Sequence, residues 1–236
     1  MEPIINKEKL TIVLCHGSWT GALVWQSVIP LLVKEGYKVV AADYPTRKFS
    51  EDVEYAKNLI SNQEGNVLLV GYSYGGAVAT EAGNHEKVVG IVYICGFALD
   101  TNESLGSVLN KREDLAKDGR VLDSQGFLWV KHEDFHRNIC PDISKEDALA
   151  MSVCQKPLHL DVVLNEMGPN PAWKTKPCYY QVSNNDRMIP KETQLEIVAN
   201  IKPKKTIHLD ANHATISSHP KEVSDFILDA AVAFNN

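Results

Sequence analysis

The stretch from Val67 to Ala79 constrains this chain more than any other. Val67-Leu68-Leu69-Val70 is a short apolar run of the kind that forms a strand buried on both faces. Gly75, Gly76, Ala77 and Ala79 then place small residues at helical spacing, which lets a helix press closely on a sheet. Between the two lies Gly71-Tyr72-Ser73-Tyr74-Gly75, a G-x-S-x-G pattern. That pattern makes the sharp strand-to-helix turn that lifts a serine hydroxyl above a sheet. So tight a turn strains the serine backbone, and a Cβ two residues to either side would clash, hence Gly71 and Gly75. The following helix aims its N-terminal N–H groups at the serine, where they stabilise negative charge developing on a reacting oxygen. A glycine-rich turn with an incidental serine is the plainer alternative. The strand before it and the helix after it favour Ser73 as a nucleophile.

At 236 residues the chain suffices for one sizeable domain with a layered core. A formal charge of −6, with the basic residues scattered, argues against nucleic acid or an acidic membrane surface as partners. The densest basic group, Lys202, Lys204 and Lys205, reads as a solvated connector. Residues 1–9 are polar and lack the apolar centre of a secretion signal, and no run approaches the length of a membrane span. Cys15, Cys95, Cys140, Cys154 and Cys178 are odd in number and form no C-x-x-C pair, so they read as reduced thiols of a cytoplasmic protein. No cluster of His, Cys and carboxylate residues has ligand spacing, so neither a metal nor an organic cofactor is expected. Nothing in the chain specifies an oligomeric state.

Strand-like and helix-like segments alternate along the sequence. Leu10–Cys15 is the first buried strand, running into the small-residue turn His16–Gly21. A helix is expected over Leu23–Lys34, kinked at Pro30, followed by a strand over Tyr37–Ala42. Another helix is expected over Glu51–Ser61, with Ser50 as its N-cap. After the Ser73 turn, Lys87–Cys95 is a further apolar strand. Residues 99–176 break this rhythm. They are more polar, with short helical segments such as the one opened by Ser144-Lys145-Glu146-Asp147 and another over Leu158–Met167. An insertion of this size is expected to form a helical cap over a site. The rhythm returns with a strand at Cys178–Ser183, a helix at Lys191–Asn200, a strand at Lys205–Leu209 and a closing helix from Pro220 to about Phe234. This pattern predicts an α/β fold with a parallel sheet covered on both faces, in one domain whose core is 1–98 and 177–236.

A nucleophilic serine needs a base to take its proton and an acid to orient that base. In an open parallel sheet these belong in loops beyond the carboxyl ends of strands. Asp186 follows the strand ending at Ser183, and His213 follows the last strand; the order Ser, Asp, His is the one that accompanies G-x-S-x-G folds. Among the other histidines, His16 can reach the site but also suits an anchor for its own loop. Asp100 is the second choice of acid. For an oxyanion hole, the expected N–H donors are Tyr74, directly after the nucleophile, and Ser18 in the loop after the first strand. Gly17, Phe97 and Trp129 are the candidate residues of the substrate pocket.

His16-Gly17-Ser18-Trp19-Thr20-Gly21-Ala22-Leu23-Val24-Trp25, the Gly71–Gly76 turn, Asn185–Pro190, and His213 with Ser217-Ser218-His219-Pro220 together resemble the α/β-hydrolase family. The resemblance spans nearly the whole chain. It is strongest to compact esterase-like members related to plant methylesterases and hydroxynitrile lyases. It implies a mostly parallel sheet with a cap after the sixth family strand, here about six-stranded because the family's first two strands lack counterparts. It also implies a carboxylesterase-type serine hydrolase acting on a small, mostly apolar ester through Ser73, His213 and Asp186. The lyases carry a threonine and a lysine where this chain has Gly17 and Ala214, which favours ester hydrolysis over a cyanohydrin lyase. A slow or non-catalytic binding member of the fold is the third reading.

Overall fold

The computed structural model describes residues 9–113 and 115–234. Six strands form one sheet: β1 (Leu10–Cys15), β2 (Lys38–Ala42), β3 (Asn66–Tyr72), β4 (Val88–Ile94), β8 (Cys178–Ser183) and β9 (Lys205–Leu209). Their order across the sheet is β2-β1-β3-β4-β8-β9, and every pairing is parallel. Successive side chains point to opposite faces with a period of two. On one face Val13, Leu69, Ile91, Tyr93 and Tyr180 pack beneath α2 (Phe49–Ser61), α3 (Tyr74–Ala82) and α8 (Lys191–Ile201). On the other, Ile12, Leu68, Val70 and Val92 pack beneath α1 (Ile29–Lys34), α9 (Thr215–Ser218) and α10 (Pro220–Phe234). Burial on both faces is why these strands are apolar throughout. Each fully buried Leu, Val or Ile contributes about 1.5–3 kcal/mol, so this double layer dominates the stability of the fold.

Local differences from the sequence expectation have local causes. The stretch from Ala22 to Lys34 is broken, not kinked: Ala22–Trp25 forms one 3₁₀ turn, and α1 starts only at Ile29. Pro30 sits in the first turn of α1, where its missing N–H costs nothing. Helix α2 begins at Phe49, with Lys48 at its N-cap and no side-chain cap, so Ser50 lies inside the helix.

The largest difference lies between β4 and β8. This insertion does contain short helices, α4 (Leu105–Leu109), α5 (His132–Ile139), α6 (Lys145–Val153) and α7 (Leu160–Leu164). Ser144 caps α6 by accepting the Asp147 N–H at 3.0 Å. It also holds a three-stranded antiparallel sheet that the sequence reading lacked, made of β5 (Arg120–Leu122), β6 (Phe127–Val130) and β7 (Leu158–His159). Gly126, at φ 87°, closes the β5–β6 turn, and Asp123 Oδ1 accepts the N–H groups of Gln125 and Phe127 at 2.9 Å each. The expected helix over Leu158–Met167 is therefore a two-residue strand followed by α7.

Candidate active site

Ser73 stands between β3 and α3 with φ 53° and ψ −122°, a backbone conformation that side chains avoid. Crowding holds it there. A Cβ on Gly71 would lie 2.5 Å from the Gly75 carbonyl oxygen, and one on Gly75 would lie 2.3 Å from that of Cys15. The Ser73 carbonyl accepts the N–H groups of Gly76 and Phe97 at 2.9 and 3.1 Å, which fixes the turn from both sides. Gly17 is pressed against the same serine: a Cβ there would meet Ser73 Cβ at 2.9 Å. Its part is close approach to Ser73, and it is absent from the cavity wall where the sequence reading put it.

His213 and Asp186 come from loops after β9 and β8. The Ser73 hydroxyl lies 2.9 Å from His213 Nε2, and His213 Nδ1 lies 2.8 Å from Asp186 Oδ2. A carboxylate can only accept, so Nδ1 carries the proton and Nε2 presents its lone pair to the serine. All three groups are buried. The acid is held firmly. Its Oδ1 accepts the N–H groups of Met188 and Ile189 at 2.8 and 3.0 Å, and Gln194 Nε2 donates to Oδ2 at 3.1 Å. Gln194 also accepts the Ser183 N–H at 3.0 Å, tying the acid loop to the end of β8. Nothing in the sequence marked it, because a glutamine inside an amphipathic helix looks like a surface residue. The His213 ring leans on Tyr72, with ring centres 5.3 Å apart.

The rival residues lie elsewhere. Asp100 bonds to Lys174 Nζ at 2.6 Å and to Asn200 at 3.2 Å, away from His213. His16 stacks on Tyr44 and donates from Nδ1 to the Gly17 carbonyl at 2.8 Å. Burial pushes its pKa down to about 4, so it is a neutral ring that braces its own loop.

Ser18 lines the cavity above Ser73, and Tyr74 begins α3. Among the described residues, neither backbone N–H donates to a protein acceptor. The Tyr74 side chain points the other way, its hydroxyl donating to Asp52 Oδ2 at 2.6 Å. The other oxygen of Asp52 accepts the Thr46 N–H at 3.1 Å. Thr46 in turn reaches the insertion: its hydroxyl donates to the Pro157 carbonyl at 2.7 Å, and its carbonyl accepts the His159 N–H at 3.0 Å. Burial raises the Asp52 carboxyl to about 6.

The cavity at Ser73 measures about 50 Å³. Phe97 lines it, with Leu105, Leu109, Leu128, Leu158, Val163, Met188 and Ile189 as further apolar walls; Arg120 also borders it. Trp129 does not line it. Along β6 the side chains alternate, so Leu128 turns inward while Trp129 is 38% exposed and donates its indole N–H to Asp123 at 2.9 Å.

Donor atoms of Cys95, Asp186 and His213 lie within 4.8 Å of one another, a juxtaposition absent from the sequence spacing. They fit a metal poorly. The 2.8 Å between Asp186 and His213 is a direct hydrogen bond, shorter than the ligand separation around a tetrahedral zinc. Burial also holds the Cys95 thiol well above its ordinary pKa, so it is no thiolate.

A serine on a strained turn, with an imidazole and a carboxylate in line beyond the ends of a parallel sheet, defines a class of protein. The chain matches the Alpha/beta hydrolase family over residues 12–226 and belongs to it. Among curated proteins it is similar to methylesterase 1 of Arabidopsis thaliana, at 27% identity over 97% of this chain and 98% of the relative. It is also similar to polyneuridine aldehyde esterase of Rauvolfia serpentina, at 26% over 94% and 96%. Among solved structures, a pyrethroid hydrolase from Sphingobium faniae JZ-2 superposes with a TM-score of 0.83 at 20% identity, over 95% of this chain and 98% of that one. The likeness to these structures is one of fold. Among the described residues, no helix is long and apolar enough to cross a membrane.

Proposed function

We propose that this protein is a serine hydrolase that cleaves small carboxylic esters through an acyl-enzyme. The observation that carries the reading is the continuous hydrogen-bonded chain Ser73–His213–Asp186, at 2.9 and 2.8 Å. His213 Nε2 takes the hydroxyl proton as Ser73 Oγ attacks the ester carbonyl carbon. The carbonyl oxygen, now negative, lies between the N–H groups of Ser18 and Tyr74 at the start of α3. His213 returns the proton to the departing alcohol, leaving an acyl group on Ser73. Water then enters, gives its proton to Nε2 and attacks the acyl carbon. Collapse of that intermediate releases the acid and restores the serine. Asp186 holds the ring in the tautomer that both halves require and stabilises the imidazolium.

The mostly apolar cavity favours a small ester with little charge, and the insertion over it acts as the cap that excludes water. Relatives named as esterases support this substrate class. Five unpaired cysteines suit a reducing compartment such as the cytoplasm. The test is labelling with a fluorophosphonate and hydrolysis of vinyl acetate. Ser73 should take up the label, and Ser73→Ala should lower kcat by about 10⁶-fold. Unchanged turnover in Ser73→Ala ends the proposal.

A further inference from the structure

Trp19 is a wall shared by two spaces. On one side is the cavity of about 50 Å³ at Ser73. On the other is a second space of about 360 Å³, a cleft open to solvent lined by Thr20, Leu23, Ala150, Met151, Lys156 and Ser217, which the mechanism does not use. Ser18, just before Trp19, faces the smaller space, and Thr20, just after it, faces the larger.

The wall is built in place. The indole is buried and donates its N–H to the Leu128 carbonyl at 2.9 Å, which pins it to β6. It packs in a cluster with Phe135, Met188 and Ala214. Its backbone sits at φ 57°, a left-handed conformation that costs a tryptophan free energy and persists only where surroundings impose it.

The side it closes can also be read. The leaving alcohol must take its proton from His213, so it departs on the imidazole side of Ser73. The chain just beyond His213 joins the hydrophobic cluster around Trp19 through Ala214 and borders the larger cleft through Ser217. We infer that Trp19 is a specificity-determining residue. It closes the alcohol side of the site and restricts the enzyme to esters of short alcohols. The cleft behind it is an alcohol subsite that joins the Ser73 cavity when the indole is removed. Its apolar wall of Leu23, Ala150 and Met151 suits an aromatic alcohol, with the Lys156–Asp43 pair at its edge. This inference rests on the esterase reading above.

The experiment compares kcat/KM for methyl acetate and benzyl acetate by acid release. The native enzyme should prefer the methyl ester by about tenfold or more, since a pocket that cannot admit a group discriminates at least that strongly. Trp19→Ala should raise the benzyl-to-methyl ratio by about tenfold or more, and Trp19→Leu by less. Adding Ala150→Trp to the Trp19→Ala background fills the larger cleft and should return the ratio towards native. Trp19→Leu carries the same test if the alanine variant lacks a cooperative melt. The native preference is decisive without any variant: equal turnover of the two esters overturns the inference. So does an unchanged ratio in a folded Trp19 variant whose Ser73 still becomes acetylated. Absence of acetyl transfer to Ser73 in the native enzyme instead overturns the esterase reading itself.

Discussion

The floor of the site and the insertion above it are built on different terms. Beneath Ser73 there is no room for a single added carbon: a Cβ at Gly71, Gly75 or Gly76 would lie within 2.7 Å of backbone atoms. Above it, the chain between β4 and β8 carries seven of the twelve exposed large apolar side chains among the described residues, and its elements are short. It is fastened at separate points: Thr46 to Pro157 and His159, Trp19 to Leu128, and Lys156 to Asp43. The floor admits no added atom, whereas the insertion is assembled from short elements that leave more apolar surface exposed. Substitutions in the two regions should therefore fail in different ways.

After Ser73 itself, the largest effect is expected at the acid. Asp186→Asn keeps an oxygen for the Met188 and Ile189 N–H groups but presents an amide to His213, favouring the wrong tautomer. We expect kcat to fall by about 10⁴-fold with the melting temperature nearly unchanged; a fall under tenfold in ester turnover would detach Asp186 from the chemistry. Gly75→Ala should fail by unfolding, losing about 4 kcal/mol or more in a urea titration, because its Cβ meets fixed carbonyls of the β1 end. A loss below about 1 kcal/mol would show that the floor yields.

Asp52 joins the two regions, and its effect depends on pH. Its carboxyl titrates at about 6 in the folded protein, against 3.8 when free. Between those values the folded state holds a proton that the unfolded chain has released. The contribution of this group to stability is thus complete below pH 3.8 and is lost as pH rises through about 6. Asp52→Asn does not titrate. Native stability relative to that variant should fall by on the order of 3 kcal/mol from pH 3.5 to pH 7, read from paired denaturant curves. A constant difference would contradict it. At the small end, Trp129→Ala should change stability by under about 1 kcal/mol and leave kcat/KM where it was, since the ring faces solvent. A clear loss of turnover would return Trp129 to the cavity wall.

The floor was the more legible region. Strands buried on both faces show as unbroken apolar runs, and the Ser73 turn needs glycines at set positions. A parallel sheet sends its strand ends to one rim, and the loops there bring Asp186 within 2.8 Å of His213 and His213 within 2.9 Å of Ser73. The insertion was harder to read because its pieces are stabilised by one another. Leu158-His159 is a strand only because Phe127 and Leu128 lie beside it, so helical spacing misled there. Pro30 reads as a kink inside a longer helix, but its ring suits a helix start equally well, and it stands in the first turn of α1. Gln194 owes its part to Asp186, eight residues back across a loop, and Trp19 owes its part to Leu128, 109 residues further on; no helical or strand periodicity announces either partner.

Strands β4 and β8 are hydrogen-bonded neighbours, with Ile91 beside Cys178 and Ile94 beside Gln181. The insertion therefore departs from and rejoins the sheet at adjacent positions. It also returns to brace the rim: the Ile139 carbonyl accepts the Ala214 N–H at 3.0 Å, Asp142 accepts the Asn212 N–H at 2.9 Å, and Arg187 donates to the Leu115 carbonyl at 2.7 Å. A segment spliced in place of the insertion must therefore supply these contacts as well, or the loop that carries His213 loses its brace.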